Sequence, residues 1–472
     1  MFLSAHTLGC KLNQLETESI ADAFCRSGFD LVRNGKDGAG IVVVNTCTVT
    51  SMAEQKARRL IRRLLRDYPG ACIIVTGCYA QLDRDKIEKE FSERVFAVPG
   101  ENKDILIDLG VFLGNLGLDG AWVERELPEL IGVWMTKNTG DRADLKDRTF
   151  RFRQEKFTSH SRGFMKIQDG CDRCCSYCRV GLARGRSRSL GAKEALEELR
   201  GLEQRGFNEA VLTGVNITQY RDSKLEFPDL SGLLEFLLDG TEKIRIRLSS
   251  IDPDLLNDRF FTVLANRRIR PHYHLSIQSG SEEILAKMGR HYTPADIEKT
   301  VEKLRLAQED PFLACDIIAA FPGESEAEFE KTRLLCEKTG FAWIHAFPFS
   351  RRPGTPAYDF GGRVNEKEAK RRVKLLANLA QKGRLEYIRR WKGRELEAII
   401  ERGKGENGIF VPALSENYLK LSVDCENRDY ASGPVPGRGS LIKCRLKEES
   451  PEYPVFDACA ELIHSNWENP AQ

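Results

Sequence analysis

Residues 164–178 read FMKIQDGCDRCCSYC. A short apolar run, Phe164–Gln168, is followed at once by Cys171, Cys175 and Cys178 in the spacing C-x3-C-x2-C. Fourteen cysteines scattered at random over 472 positions would give this spacing about 0.01 times, so chance is a poor explanation. Thiolates bind soft metals and iron–sulfur clusters. A 4Fe–4S cluster normally takes four cysteines, so three in one loop leave one iron open to a small ligand. Zinc is the plainer alternative, because Cys171/Cys174 and Cys175/Cys178 each form C-x2-C. Zinc ribbons, however, separate such pairs by about a dozen residues or more.

The strand-like run before these cysteines opens a pattern that repeats. Further strand-like segments lie near Ala210–Gly214, Ile244–Leu248, Tyr273–Ile277, Phe312–Phe321 and Trp343–Phe349, with helical stretches between them and a last helix starting near Asn365. Six strand–helix units in one stretch predict a partial (β/α)6 barrel of parallel strands, with reactive groups on the loops at the strands' C-terminal ends. Glycines follow several of these strands. Each alone reads as a turn; their shared position points to one cofactor face.

Upstream, Phe2–Leu8, Ile41–Thr46 and Cys72–Thr76 read as buried strands alternating with helices over about Gln14–Ser27, Met52–Asp67 and Gln81–Phe91. This alternation predicts an open parallel α/β sheet. Cys10, Cys47 and Cys78 each fall just past a strand's C-terminal end, and in such a sheet those ends meet at one crevice. Read singly, each is a small buried hydrophobe; as a trio at equivalent positions they suit a second metal cluster. Cys25, Cys72, Cys315, Cys336, Cys425, Cys444 and Cys459 have no comparable setting and read as core or surface thiols. Residues 110–160 lack periodicity and read as a loose connection. After Trp391, short alternating runs punctuated by Gly433, Pro434, Pro436, Gly437 and Gly439 predict a small antiparallel β barrel.

Composition adds exclusions. Apolar residues are 41% and charged residues 30%, which excludes a largely disordered or fibrous chain. Lys+Arg (72) and Asp+Glu (70) leave a net charge of +2, so a nucleic-acid surface must come from local clustering. The stretch 363–394 holds twelve Lys/Arg and three acids, a local balance of +9. Lys56, Arg58, Arg59, Arg62, Arg63 and Arg66 follow Cys47, and Arg184-Gly185-Arg186-Ser187-Arg188 lies beside the first triplet. One such run is a solvated helix face; three favour phosphate contacts. No apolar run approaches a membrane span. Met1 to Cys10 lacks the basic and apolar regions of a secretory or lipoprotein signal. The expectation is a cytoplasmic protein with no membrane partner, in which disulfides are rare and fourteen cysteines imply metal binding or chemistry. Histidines lack metal-ligand spacing; His272 and His274 share one strand face, and His274 reads as a core histidine or a lining of the barrel mouth.

The stretch from Lys166 to Cys178, with Ala183-Arg184-Gly185-Arg186, resembles the radical S-adenosylmethionine methylthiotransferases. So do Leu212-Thr213-Gly214-Val215-Asn216, Ile277-Gln278-Ser279-Gly280-Ser281, Asp316 through Glu324 and Pro353-Gly354-Thr355-Pro356. One departure is Arg179-Val180-Gly181-Leu182, where the family usually carries Ile-Pro-Tyr. The resemblance implies two 4Fe–4S clusters, on Cys171, Cys175 and Cys178 and on Cys10, Cys47 and Cys78. It implies S-adenosylmethionine chelated at the open iron, with Tyr177 packed beside its adenine and Gly214, Asn216 and Gln278 on the cofactor face. No side chain is assigned as a catalytic acid or base. The implied division is an auxiliary-cluster domain over 1–115, a linker over 116–156, a radical core over 157–388 and an RNA-binding barrel resembling a TRAM domain over 389–455.

Within the family, Cys10-Lys11-Leu12-Asn13-Gln14 with Glu16-Thr17-Glu18 looks most like the group acting on N6-threonylcarbamoyladenosine in tRNA. The implied partners are a tRNA anticodon stem-loop, an electron donor and a sulfur donor. The alternatives are the same chemistry on N6-isopentenyladenosine or on a ribosomal protein, and a non-enzymatic iron–sulfur RNA-binding protein.

Overall fold

A computed structural model describes residues 1–32, 39–91, 93–116, 126–138, 148–153, 160–403, 410–425, 436–450, 453 and 455–465. The chain forms two compact units. The first comprises 1–158, 166–190 and 350–358; the second comprises 159–165, 191–349 and 359–472.

The first unit is built on a five-stranded parallel sheet of β1 (Phe2–Thr7), β2 (Asp30–Leu31), β3 (Ile41–Thr46), β4 (Cys72–Gly77) and β5 (Val95–Ala97), in the order β2-β1-β3-β4-β5. Strands β3 and β4 are buried along their whole length, as unbroken Ile/Val runs require in a sheet covered on both faces. Helices α1 (Lys11–Arg26), α2 (Ser51–Asp67) and α3 (Cys78–Glu90) follow β1, β3 and β4, and α4 (Ile105–Asn115) packs on α1. Each expected strand and helix of this sheet is present. The two edge strands, of two and three residues, were not expected: so few residues carry no periodicity. The stretch read as a loose connection is a correction. Helix α5 (Leu127–Asn138) buries Leu127, Ile131 and Met135 in the same core as α1 and α4; its i, i+4, i+8 spacing is helical but its polar face is short. Residues 117–125, 139–147 and 154–159 of that stretch lie outside the described residues. The chain then passes through β6 (Gly163–Lys166) into the cysteine loop, which closes with the two-residue pair β7 (Gln168–Asp169) and β8 (Arg188–Ser189) and contains the short helix α6 (Val180–Arg184).

In the second unit, β6 is followed by β9 (Glu209–Thr213), β10 (Arg245–Leu248), β11 (Ser250–Ile251), β12 (His272–Gln278), β13 (Phe312–Ala319) and β14 (Trp343–Pro348). They pair in parallel as β10-β9-β6 and β11-β12-β13-β14, with β10 and β11 separated only by Ser249. The result is the expected six-stranded open barrel. Helices α7 (Ala192–Gln204), α8 (Leu230–Asp239), α9 (Asp258–Leu264), α10 (Glu282–Met288), α11 (Pro294–Ala307) and α12 (Glu326–Thr339) connect its strands, and α13 (Glu366–Trp391) packs against β14. Asn365 caps α13 by accepting from the backbone of Glu368, which is why that helix starts there.

A closed five-stranded barrel ends the unit: β15 (Glu395–Ile400), β16 (Phe410–Ser415), β17 (Lys420–Asp424), β18 (Leu441–Glu449) and β19 (Ala458–Ser465), ordered β15-β16-β17-β19-β18. One of its ladders, β17 with β19, is parallel, and β19 was not expected from the sequence. Leu396, Leu421, Ile442 and Leu446 of this barrel share one core with Phe312, Tyr387 and Trp391.

The open barrel is stoppered at the N-terminal end of its strands. Tyr418, in the β16–β17 turn at φ +67°, stacks on His272 with ring centroids 4.0 Å apart. The Arg247 guanidinium lies 5.3 Å from the centre of the Tyr418 ring. Buried Glu209 accepts from Arg247 Nε at 2.6 Å and Arg270 Nε at 3.0 Å, and Arg270 Nη1 reaches Glu397 at 2.7 Å.

Candidate iron–sulfur and cofactor site

In the first unit, β1, β3 and β4 are adjacent, so the turns after them converge. Cys10 occupies the N-cap of α1, Cys78 is the first residue of α3, and Cys47 precedes α2 by a short turn. Each cysteine therefore sits at or just before the first turn of a helix. The three are close enough for each charge to act on the others. Gly9, at φ +128°, lets the first turn come this near: a Cβ there would lie 2.8 Å from Cys47 Cβ. Burial, reinforced by Cys78, pushes the Cys47 thiol up to about 12, so its thiolate needs a cationic partner.

The cysteine loop after β6 is folded back on itself. Cys171 N–H donates to Gly185 O at 3.0 Å and Cys178 N–H to Cys175 O at 3.1 Å. Gly170, at φ +72°, is fixed by sterics, since a Cβ would fall 1.9 Å from Arg186 O. Backbone N–H groups point at sulfur in both trios: Arg173 to Cys171, Val180 to Cys178 and Val49 to Cys47, each at 3.4 Å. Hydrogen bonds of this kind stabilise thiolate sulfur at iron–sulfur centres, so the residues fit such a group. Cys174 is exposed and directs its thiol to Asp172 O. Tyr177 is half-buried, outside the hydrophobic core. The departure at Val180-Gly181-Leu182 forms α6, which leaves Leu182 54% exposed.

Two arginines of this loop staple the turns of both trios together. Arg179 donates to Thr48 Oγ1 and Glu54 Oε1, both at 3.1 Å, and lies 3.5 Å from Asp83; Arg352 also binds Thr48 and Glu54. Arg184 reaches Asn13 at 2.8 Å, Asp169 at 3.0 Å and Glu16 at 3.1 Å. Glu16 also binds Lys103 and Lys166. Burial opposes its ionisation, but Arg184, Lys103 and Lys166 together hold its carboxyl well below the ordinary range. These partners were not foreseen. The one sequence signal was an acid on the buried face of α1, between Leu12, Leu15 and Ile20. Arg184, read as a phosphate contact, is instead buried in this network. A cavity of about 330 Å³ beside it is lined by Cys78, Lys103, Arg148, Lys166 and Arg184.

In the second unit, Gly214 and Asn216 follow β9 and Gln278 ends β12. Gly214 is half-buried and has no left-handed backbone. Asn216 Nδ2 donates to Asp252 at 2.7 Å, and Asp252 pairs with Arg290 at 3.0 Å. Gln278 is buried at φ +70°, and Ala320, after β13, lies at φ +63°. Non-glycine residues there cost about 1–2 kcal/mol each; both lie at the mouth where a ligand site is expected. His274 lines the lumen, half-buried, with both ring nitrogens hydrogen-bonded to Ser250 and Asp316.

A six-stranded open parallel barrel entered through a C-x3-C-x2-C loop is the core of a radical S-adenosylmethionine enzyme, and residues 165–336 match the Radical SAM superfamily. Residues 3–98 match the Uncharacterized protein family UPF0004. The chain is 39% identical to the threonylcarbamoyladenosine tRNA methylthiotransferase MtaB of Treponema pallidum, over 94% of this chain and 98% of that one. It is 35% identical to that of Thermotoga maritima, covering 84% and 85%. It is 29% identical to the tRNA-2-methylthio-N(6)-dimethylallyladenosine synthase of Jannaschia sp., covering 94% and 91%. Among solved structures, the radical S-adenosylmethionine methyltransferase TsrM of Kitasatospora setae shares the fold, with TM-score 0.51 at 14% identity over 75% of this chain and 73% of that one. The chain belongs to the radical S-adenosylmethionine methylthiotransferase family and is an enzyme of that class.

Proposed function

We propose that this enzyme adds a methylthio group to carbon 2 of N6-threonylcarbamoyladenosine beside the anticodon of tRNA. The observation that carries the reading is the stapling of both cysteine-bearing turns by Arg179 and Arg184 within one unit. Cys171, Cys175 and Cys178 would hold one 4Fe–4S cluster and leave an iron for S-adenosylmethionine; Cys10, Cys47 and Cys78 would hold the second. When bound, these groups supply the electron that cleaves S-adenosylmethionine and the sulfur that is transferred. The chain's own part is placement: an unactivated C–H requires close positioning of the reacting groups and exclusion of water. By the family resemblance Tyr177 would pack beside the adenine and Gly214, Asn216 and Gln278 would face the cofactor; within the second unit Asp252 orients Asn216. The threonylcarbamoyl substrate is supported by the relatives of that name at 39% and 35% identity, against 29% for the dimethylallyladenosine relative. An electron donor and a sulfur donor complete the reaction. A cytoplasmic location suits a tRNA substrate, and no described helix is long and apolar enough to cross a membrane.

Nucleoside mass spectrometry of tRNA from cells with and without the gene tests this. Loss of the methylthio form of N6-threonylcarbamoyladenosine, with the isopentenyl-derived form unchanged, is expected. The opposite pattern, or no change in either, overturns the substrate.

A further inference from the structure

The lumen of the open barrel carries a polar and aromatic wall that no cysteine or proposed cofactor contact uses. Strands β13 and β14 pair Ala314 with Trp343, Asp316 with His345 and Ile318 with Phe347, so these six residues share one face. Asp316 is held in place: His274 Nε2 donates to its Oδ1 at 3.1 Å, and His274 Nδ1 faces Ser250 Oγ at 2.8 Å. The other carboxylate oxygen of Asp316 accepts no hydrogen bond among the described residues, and the side chain is 26% exposed. His345 is oriented in turn. Trp343 Nε1–H can only donate, and it does so to His345 Nδ1 at 3.2 Å, so the neutral ring carries its proton on Nε2. Asp316 therefore offers an acceptor oxygen beside the oriented imidazole of His345. Above them Phe347 is 44% exposed, its ring nearly parallel to His345 at 9° and 6.4 Å.

We propose that Asp316, His345 and Phe347 form a seat for one unstacked purine nucleoside of a single-stranded RNA loop, Phe347 stacking on the base, Asp316 accepting from its edge and the His345 ring walling the seat. Extruded bases are recognised in this way, by aromatic stacking and hydrogen bonds to the base edge. The proposal rests on the tRNA reading above and names the residues that take the substrate nucleoside. Two features favour a nucleoside carried on a polymer over the adenosyl group of a small cofactor. The barrel floor is stoppered by Tyr418 and His272, so entry is from the mouth or the side. Phe347 and His345 lie on β14, whose far edge no described strand pairs; a polymer needs such an open seam, and a small molecule does not. A carboxylate on this wall also repels phosphate, which leaves the backbone outside and admits only the base.

The test uses the full-length protein and an anticodon stem-loop RNA with 2-aminopurine at the adenosine 3′ to the anticodon. Binding should quench the probe through stacking. Phe347→Ala should abolish the quenching and weaken binding roughly 5- to 150-fold, the range of one base–aromatic stack. Phe347→Trp should restore both. Asp316→Asn should weaken binding and keep the quenching. Equilibrium dialysis with S-adenosylmethionine should give the same affinity for Phe347→Ala as for wild type. An unquenched wild-type complex, unaltered quenching in Phe347→Ala, or a loss confined to S-adenosylmethionine binding each overturns the seat. Unchanged tRNA modification in cells lacking the gene would instead sink the substrate reading while leaving these fluorescence results standing.

Discussion

Glu209 shows what a single buried acid does in this fold. It is the first residue of β9, fully enclosed, and its neighbours are Arg247, Arg270 and Arg162. Burial alone would raise its pKa, but the guanidiniums outweigh burial and lower it from 4.5 to about 2. A lowered carboxylate contributes stability that is fully present above the ordinary pKa and lost as pH falls through the folded one. The shift corresponds to about 3 kcal/mol. Urea unfolding of wild type and Glu209→Gln should therefore differ fully above pH 4.5, and the gap should narrow as pH falls towards 2. A gap independent of pH would place the charge elsewhere. Residues such as Glu209 and Glu16 were not legible as network centres, because their partners lie tens of residues away or more. The six cysteines stood out, since their spacing and strand-end positions are written locally.

At the scale of the element, α13 corrects a charge count. The +9 stretch reads as a basic face, yet Arg372 and Arg384 are buried, on Glu324 and Asp457. Arg371, Arg389, Arg390 and Arg394 pair with Glu326, Glu449, Asp310 and Glu309, all outside the helix. Lys370 and Lys382 pair within it. Arg363, Lys367, Lys374 and Lys392 keep no acidic partner among the described residues, and all four are exposed. The sequence counted the bases and could not count acids brought in by the fold. On α2, in the other unit, Lys56, Arg59 and Arg66 are likewise exposed and unpaired. Reversing Lys367 and Lys374 to Glu should leave thermal stability unchanged within about 0.5 kcal/mol, as for most surface changes. It should lower the slope of log K against log salt for RNA binding by about 1.4, two contacts at about 0.7 each. Arg372→Glu should instead fail to fold, because two carboxylates would then face each other in the interior. An unaltered salt slope in the double reversal would move the RNA surface off this helix.

For the whole molecule, the order of a parallel sheet, an open barrel and a small closed barrel was legible, because strand and helix periods alternate plainly. How the last two join was not. The hydrophobic pattern after Trp391 says that a β barrel forms, and says nothing about which outer residues it shares. Phe312, Tyr387 and Trp391 are covered by Leu396, Leu421 and Leu446, and Arg270 relies on Glu397 and Glu416. Truncation after Trp391 would uncover three large side chains, each worth about 1.5–3 kcal/mol of burial, and strip buried guanidinium groups of their partners. Against a typical total of about 5–15 kcal/mol, the truncated chain should lose its cooperative thermal transition, as read by circular dichroism. A truncated chain that melts cooperatively near the wild-type temperature would show that the closed barrel is an independent appendage.

The Tyr418 stopper bears on modularity. A small terminal β barrel invites exchange between relatives as a cassette. Here the turn that stacks on His272 and the acids that hold Arg270 belong to the cassette, while the surfaces they complete belong to the host. A chimera joined at residue 392 would carry a floor cut for a different lumen. The workable junction takes His272, Arg270, Arg247 and Glu209 along with the barrel, so the unit of exchange is larger than the domain that sequence boundaries suggest.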